Sequence, residues 1–427
     1  MTMDRRTILK NLGVAGGLGA LAGCVGVEEQ DETDSSDGDG ADSDDGSSGS
    51  DDSGPSGTAT VWYSLPSSEK DEREETIQQF EDRTSHSIDN SDISDMEKKT
   101  TSAIPAGEGP HTFEWAHDWI GDYSERGFLV DRSDELNVDL DQFTTAAADA
   151  TQFGGGVYGL PHDSETVTLI YNTDIVDEAP ETVEEMRSVM EEFHDPENNQ
   201  YGLSYPFNDP YFLSGYLQGF GGHLFDPEAD EALGVASDEV IEGAQFAVDN
   251  FAPYMPNDPK YEPQASVFAE GNAAFAINGP WYLSTLNEKG INYEVTKLPA
   301  PDGGSPTPYT GITMWYFASG MESGGDDAAA AQEFIEWYTT NEDLMLKRAE
   351  EQGSIPVLQS LVEGDKLPDN VKGFARSVEQ GVPMPSDPKM NQVWAPMKNA
   401  LTKVFNGDSD PQPALEQAET EIRSNWE

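Results

Sequence analysis

Lysine and arginine are scarce in this chain: 23 of them face 82 Asp and Glu over 427 residues, a formal net charge of −59. So few cations cannot be gathered into a basic patch, which excludes nucleic acid and anionic lipid as partners of the body. Cysteine occurs once, at Cys24, so neither a disulfide framework nor a cysteine-ligated metal site can be built. No Gly-x-Ser-x-Gly elbow is present, and an α/β-hydrolase serine has no support. The six histidines, His86, His111, His117, His162, His194 and His223, never form a His-Glu-x-x-His pair of the kind that binds zinc from one helix face. Acid clusters such as Asp37 to Asp45 lack the ordered calcium loop with its closing Glu. Gly154-Gly155-Gly156 is followed by no Gly-Lys-Ser/Thr and opens no helix, which removes a phosphate-cradling loop. Glycosidase carboxylates could be drawn from any pair among 82 acids, and that density gives no chosen pair weight. No enzymatic activity, cofactor or metal is expected.

What the N-terminus does contain is a targeting pattern. Arg5-Arg6 precede a Gly- and Ala-rich apolar run, Ile8 to Leu21, too short and interrupted to span a bilayer stably. The pair reads as a twin-arginine export signal. Leu21-Ala22-Gly23-Cys24 resembles a lipobox, with Cys24 the lipidated first residue of the mature chain. Residues 1–24 are therefore expected to be a twin-arginine lipoprotein signal, and two chains on Cys24 suffice for membrane anchoring. Residues 25–57 hold twelve acids and no base among Ser and Gly, a composition that cannot offset its ordering entropy. They are expected to be a disordered acidic linker, extended by its own charge.

From Thr58 onward the chain still carries 69 acids against 20 bases, so the acidity belongs to the body as well. Such a surface repels itself at low ionic strength, whereas in about 1 M salt the Debye length is only about 3 Å. The expectation is a salt-adapted protein resembling those of extreme halophiles. An acidic cation-binding protein is the alternative that charge alone leaves open.

The body reads as α/β with room for two domains. Thr58 to Leu65 alternates as a strand with Ala59, Val61, Tyr63 and Leu65 on one face. A turn at Pro66-Ser67-Ser68-Glu69 leads into a helix with Ile77 and Phe80 inward. Phe113 to Ala116 is a short strand ending at His117-Asp118, Gly154 to Pro161 a hairpin, and Val167 to Asn172 a strand. Helices follow at Thr182 to Phe193, with Val183, Met186 and Met190 inward, from Asn208 onward, at Val240 to Asn250 and at Ala328 to Tyr338, where Trp337 is placed in the core.

The most informative stretch is Phe268-Ala-Glu-Gly-Asn-Ala-Ala-Phe-Ala-Ile-Asn-Gly-Pro-Trp281. A helix end yields at Gly271 to an apolar strand, which Asn278-Gly279-Pro280 breaks, leaving Trp281 at the start of the next element; glycine with positive φ and proline suit such a turn. With Ile291 to Pro299, Gly109 to Asp118, Asp209 to Phe212 and the strand Leu169-Ile170-Tyr171-Asn172, it resembles the extracellular maltose/maltodextrin-binding proteins of carbohydrate ABC transporters, over about seven-eighths of the chain. The resemblance implies an α/β, two-lobed, periplasmic-binding-protein-like fold of type II, its discontinuous lobes joined by a hinge. It puts an N-terminal lobe at 58–163 with 315–361 and a C-terminal lobe at 168–309 with 370–427, crossings falling near 162–166, 309–315 and 360–372.

The resemblance also places Glu97, Trp115, Asp118, Glu165, Asp209, Tyr211, Trp281 and Trp394 at binding-site positions, with Tyr261 nearby. Carboxylates accept hydrogen bonds from sugar hydroxyls and aromatic faces pack on pyranose C–H faces. Departures from the family pattern are Leu65-Pro66-Ser67 where an Asp-Lys pair is usual, Trp119 and Lys398 where Arg is usual, and Asp209 where Glu is usual. They remove polar contacts at one end of the site and add an aromatic ring. The implied function is capture of an oligosaccharide by a lipid-anchored, monomeric, extracytoplasmic protein that delivers it to an ABC transporter permease. A secreted carbohydrate-active enzyme and a polyamine or ferric-ion binder on the same fold stand as alternatives.

Overall fold

The computed structural model describes residues 56–364 and 366–427. The signal expected at 1–24, with Cys24, and almost all of the expected 25–57 linker lie outside the described residues.

Alternation in the first strand, Thr58–Tyr63, sends Ala59, Val61 and Tyr63 to one face. That face is covered by the helix Lys70–Arg83 through Ile77 and Phe80. The strand pairs in parallel with Ser87–Asp92 and Thr112–Ala116, the open-sheet βα beginning that the pattern predicts. Beyond Thr112–Ala116 the ladder turns antiparallel, to Tyr309–Phe317, then Gly159–Thr166, then Ile355–Pro356. Val382–Pro383 joins the start of Tyr309–Phe317 in parallel, making seven strands. Side chains alternate along Tyr309–Phe317 as strand geometry requires. Trp315 and Phe317 enter one core with Phe80, Phe334 and Tyr338, while Met314 and Tyr316 enter another with Phe113, Trp119 and Tyr123.

A second, four-stranded sheet has the order Tyr293–Thr296, Thr168–Asn172, Ala273–Asn278, Tyr201–Ser204. Every residue of Ala273–Asn278 is buried, and the sheet has a core on each face. The helix Val183–Phe193 covers one face with Val183, Met186 and Met190, its N-terminus closed by a Thr182–Glu185 capping box. Two connections carry the chain between sheets. Gly159–Thr166 runs almost directly into Thr168–Asn172, and Tyr293–Thr296 is followed by the return in Tyr309–Phe317. These two strands lie against each other, Gly311 opposite Glu165 and Thr310 opposite Thr166.

The turn after Ala273–Asn278 forms for a reason other than the expected one. Gly271 has φ 77°, but Gly279 has φ −100°, which any residue can adopt. Gly279 is required by space: a Cβ there would lie 2.1 Å from the Trp281 ring. Trp337 also differs from expectation. It packs on Phe80 and Phe334, yet it is only half-buried and borders a surface cavity of about 280 Å³. Among the described residues no helix is long and apolar enough to cross a membrane, and no group of His, Cys, Asp or Glu is arranged to hold a metal ion.

Candidate functional site

Asp118 follows the strand Thr112–Ala116 in the short turn His117–Trp119. Its neighbour His117 fixes that turn. The Ile312 N–H donates to Nδ1 at 3.1 Å and Nε2 donates to the Met384 carbonyl at 3.0 Å, which sets the tautomer. Burial lowers the His117 pKa to about 4, so the ring stays neutral and pins the turn between two segments. Asp118 is 5 % exposed and accepts a 3.2 Å hydrogen bond from the Trp394 indole N–H. Trp394 rises from the helix Asn391–Phe405, which packs with the four-stranded sheet's core. This bond therefore joins the two halves of the molecule.

Glu165 lies on the strand Gly159–Thr166, next to the edge of the larger sheet, and accepts from Thr313 Oγ1 at 3.1 Å. It fits because the opposing residue is Gly311: a Cβ there would lie 2.6 Å from Glu165 Oε1. Burial, then the charge of Glu165, raise the Asp118 pKa to about 7. Burial and, after it, Asp163 raise Glu165 to about 7 as well. Two carboxyls near half-ionisation offer both acceptors and a donor to hydroxyl groups.

Tyr211 faces this pair from the second half. Burial, then Glu165, Asp118 and Asp209, hold its hydroxyl well above the usual range, and that oxygen is buried without a hydrogen-bond partner. A buried hydroxyl left unpaired is costly unless something else supplies the bond. Asp209 caps the helix Pro210–Leu217 by accepting from the Tyr211 N–H at 3.0 Å. It is half-buried, and burial raises its pKa while Lys398 lowers it. The Tyr211 ring is 6.3 Å from that of Trp281, and Phe212 packs edge-on to Trp281 at 6.1 Å and against Tyr261 at 5.9 Å.

Trp115 and Glu97 complete the set expected from sequence. Trp115 is half-buried and stacks on Trp119 at 4.8 Å. The extra ring is thus no second platform: Trp119 is 7 % exposed and packs behind Trp115, against Tyr123. Glu97, in the first turn of Met96–Ala103, is exposed and close enough only to add a small field at Asp118. Asp118, Glu165, Asp209, Tyr211, Tyr261, Trp281 and Trp394 form one connected neighbourhood; Trp115 borders it and Glu97 stands outside.

Three contributors were not legible beforehand: Thr313, Gly311, and His117 as a clip. The Glu69 carboxyl, just past Leu65-Pro66-Ser67, is 5 % exposed and is engaged by Ser284 Oγ, which donates to it at 2.9 Å. Behind it a buried charge cluster joins Arg73 to Glu114 at 2.9 Å and Arg348 to Asp163 at 2.8 Å, with His162 between them. Apart from the neighbours His162 and Asp163, these partners are dozens of residues or more apart, and no local pattern marks them.

Two sheets, whose cores meet where Tyr309 and Ile355 of the larger sheet join those of the smaller, and a cluster of acids and aromatics drawn from both, define a two-lobed binding protein. The chain belongs to the bacterial extracellular solute-binding proteins, whose family model matches residues 75–375. A maltotriose-binding protein of Pyrococcus abyssi is 37 % identical over 342 residues, covering 78 % of this chain and 74 % of the relative. A galactooligosaccharide-binding protein of Bacillus subtilis is 29 % identical over 335 residues, 74 % of this chain and 76 % of the relative. Among solved structures, the Thermus thermophilus maltotriose-binding protein bound with maltotriose superposes with a TM-score of 0.77 at 25 % identity, covering 86 % of this chain and all of that one. A cyclo/maltodextrin-binding protein complexed with maltotetraose gives 0.69 at 28 % identity, covering 86 % and 97 %.

Proposed function

We propose that this protein captures a maltooligosaccharide-type sugar between its lobes and delivers it to the permease of an ABC importer. The observation that carries this reading is the convergence of Asp118, Glu165, Tyr211, Trp281 and Trp394 from elements of both sheets. Carboxyls and an unpartnered phenol supply the polar half of sugar recognition, and indole rings the apolar half. Support comes also from relatives described as binding maltotriose and maltodextrin. Ligand contacts to both lobes would favour a closed form over an open one. We place the lobes at 58–163 with 315–361 and at 168–309 with 370–427, and the site at Trp115, Asp118, Glu165, Asp209, Tyr211, Tyr261, Trp281 and Trp394, with the exposed Glu97 left outside it.

Calorimetric titration in high salt with maltotriose, maltotetraose, a galactooligosaccharide and a polyamine tests this. Saturable heat with a maltooligosaccharide, recovered unchanged afterwards, is expected. Heat only with the polyamine, or a cleaved sugar, would replace the reading with the corresponding alternative.

The reading includes a monomer exported by the twin-arginine route, tethered through lipid on Cys24 and adapted to salt. The motif Arg5-Arg6, the lipobox-like Leu21 to Cys24 and the acidic body support it, as do streptococcal relatives described as lipoproteins. Cys24→Ser should move the protein from the membrane to the medium on fractionation without changing sugar affinity. Full membrane retention of the variant would rule out the lipid anchor.

A further inference from the structure

Ser284 lies one turn beyond Trp281, in the helix Leu283–Lys289, which packs through Leu283 and Leu286 on the core of the four-stranded sheet. Its hydroxyl reaches the opposite half of the molecule. Ser284 Oγ donates to Glu69 Oε1 at 2.9 Å and lies 3.0 Å from Ser68 Oγ. Both of those belong to the short turn Ser67–Glu69 that leads into Lys70–Arg83, the helix covering the seven-stranded sheet. The protons are consistent: Ser68 donates to Ser284, and Ser284 donates to Glu69. Ser284 and Glu69 are only 7 % and 5 % exposed, so neither bond is easily replaced by water. The approach is also shaped sterically. Leu283 sits over Gly353, the left-handed end of the helix Glu342–Gln352, where a Cβ would be 2.5 Å from Leu283 Cδ1.

We propose that Ser68, Glu69 and Ser284 form a latch between the lobes, whose making and breaking sets the energy of closure and hence the affinity for ligand. The inference rests on the two-lobed capture mechanism proposed above and names the residues that tune it. The latch touches no expected ligand position itself. It acts through the Pro280–Tyr282 turn, because Ser284 follows Trp281 closely enough for its hydroxyl to lie 3.4 Å from the Trp281 carbonyl. A sugar seated on the Trp281 ring and the latch would then favour the same placement of one short segment. Glu69 is suited to a reversible contact. Burial disfavours its charge, and Arg348, then Arg73, only partly offset this, so its hold depends on the bond from Ser284.

The test uses the full chain in high salt, with Ser284→Ala, Glu69→Ala, the double variant and Glu69→Gln, which keeps a carbonyl acceptor for Ser284. Small-angle scattering without ligand should show both alanine variants more extended than the parent, and maltotriose should bring all to the same compact size. Each alanine variant should raise the dissociation constant for maltotriose about tenfold, the scale of one hydrogen bond to a buried carboxyl. The double variant should be no worse than either single one, and Glu69→Gln should stay near the parent. Unchanged ligand-free dimensions, or fully additive losses in affinity, would overturn the latch. A merely structural role would lower the unfolding midpoint without changing the extension of the ligand-free protein. If the parent fails to bind maltotriose, the sugar reading falls, and the ligand-free scattering comparison still decides the latch.

Discussion

At the scale of single residues, Trp281 and Asp118 make sharply different demands. Trp281 is half-buried, with one flank against Tyr211 and Phe212 and the Gly279 backbone beneath it. Trp281→Ala is expected to weaken sugar binding about thirtyfold to a thousandfold, the roughly 2–4 kcal/mol typical of an aromatic anchor. A purely internal Trp would instead lower stability by about 3–5 kcal/mol, so titration and melting of one variant separate the roles. Asp118 makes itself felt through protons. Its folded pKa, about 7, lies above the unfolded value of about 4. Folding therefore takes up a proton between those values, and the stability this contributes is complete below about pH 4 and lost as pH rises through 7. Glu165 and Glu69 act in the same window and direction. Glu114 and Asp163, held low despite burial by Arg73 and Arg348 respectively, act in the opposite sense at more acidic pH. The ligand-free midpoint should fall between about pH 4 and pH 7, and Asp118→Asn should flatten that fall. A variant with the parent's slope would remove Asp118 from the account. Glu165, Tyr261 and Trp394 were placed by the resemblance alone, whereas Trp115, Asp118, Asp209, Tyr211 and Trp281 were legible because each sits in a short motif. Thr313 was not, because its value comes from a partner met only after folding.

At the scale of elements, the strands Gly159–Thr166 and Tyr309–Phe317 carry the site, and their register decides which side chain has room. Period-2 and period-3.6 patterns marked the first strand and the helices Val183–Phe193 and Asp238–Asn250 well. Proline and flanking polar residues hid the length of Gly159–Thr166, which carries Pro161, His162, Asp163, Ser164 and Glu165 in succession. Those polar residues are tolerated because the buried Arg348 and the half-buried Thr313 pair with Asp163 and Glu165, and a single strand's composition cannot show that. Gly311 is the pivot. A methyl group there meets only side-chain atoms, Oε1 and Cγ of Glu165 and the end of Met384, so rotation of the Glu165 side chain about its Cα–Cβ bond relieves the clash and the backbone need not move. Gly311→Ala should leave the unfolding midpoint nearly unchanged while turning Glu165 aside and weakening sugar affinity several-fold. Equal affinity, measured by calorimetry on a variant of parental stability, would show that Glu165 does not contribute to the ligand.

At the scale of the whole molecule, the two-lobed architecture was legible only through ordered motifs spread along the chain, since periodicity by itself gave α/β and two domains. Charge is the global property that the fold does not explain. With 69 acids against 20 bases from Thr58 onward, ion pairs can neutralise only a minority of the carboxylates. Among the described residues, most of the pairs that form involve a well-exposed side chain, as Arg423–Glu231 and Lys372–Asp369 do, and such pairs contribute little. The unpaired remainder repels itself in the folded state more than in an expanded chain. In about 0.1 M salt the Debye length is about 10 Å; in about 1 M it is about 3 Å and the repulsion is mostly screened. The unfolding midpoint should therefore climb steeply as potassium chloride rises from tens of millimolar to about 1 M. Above that concentration screening is nearly complete, and any continued rise must come from exclusion of salt from the protein surface. A midpoint that stays flat or falls as salt is added would mean that the acidic surface is neutral for folding. The charge would then have to be explained by the alternative left open from the sequence, the binding of cations.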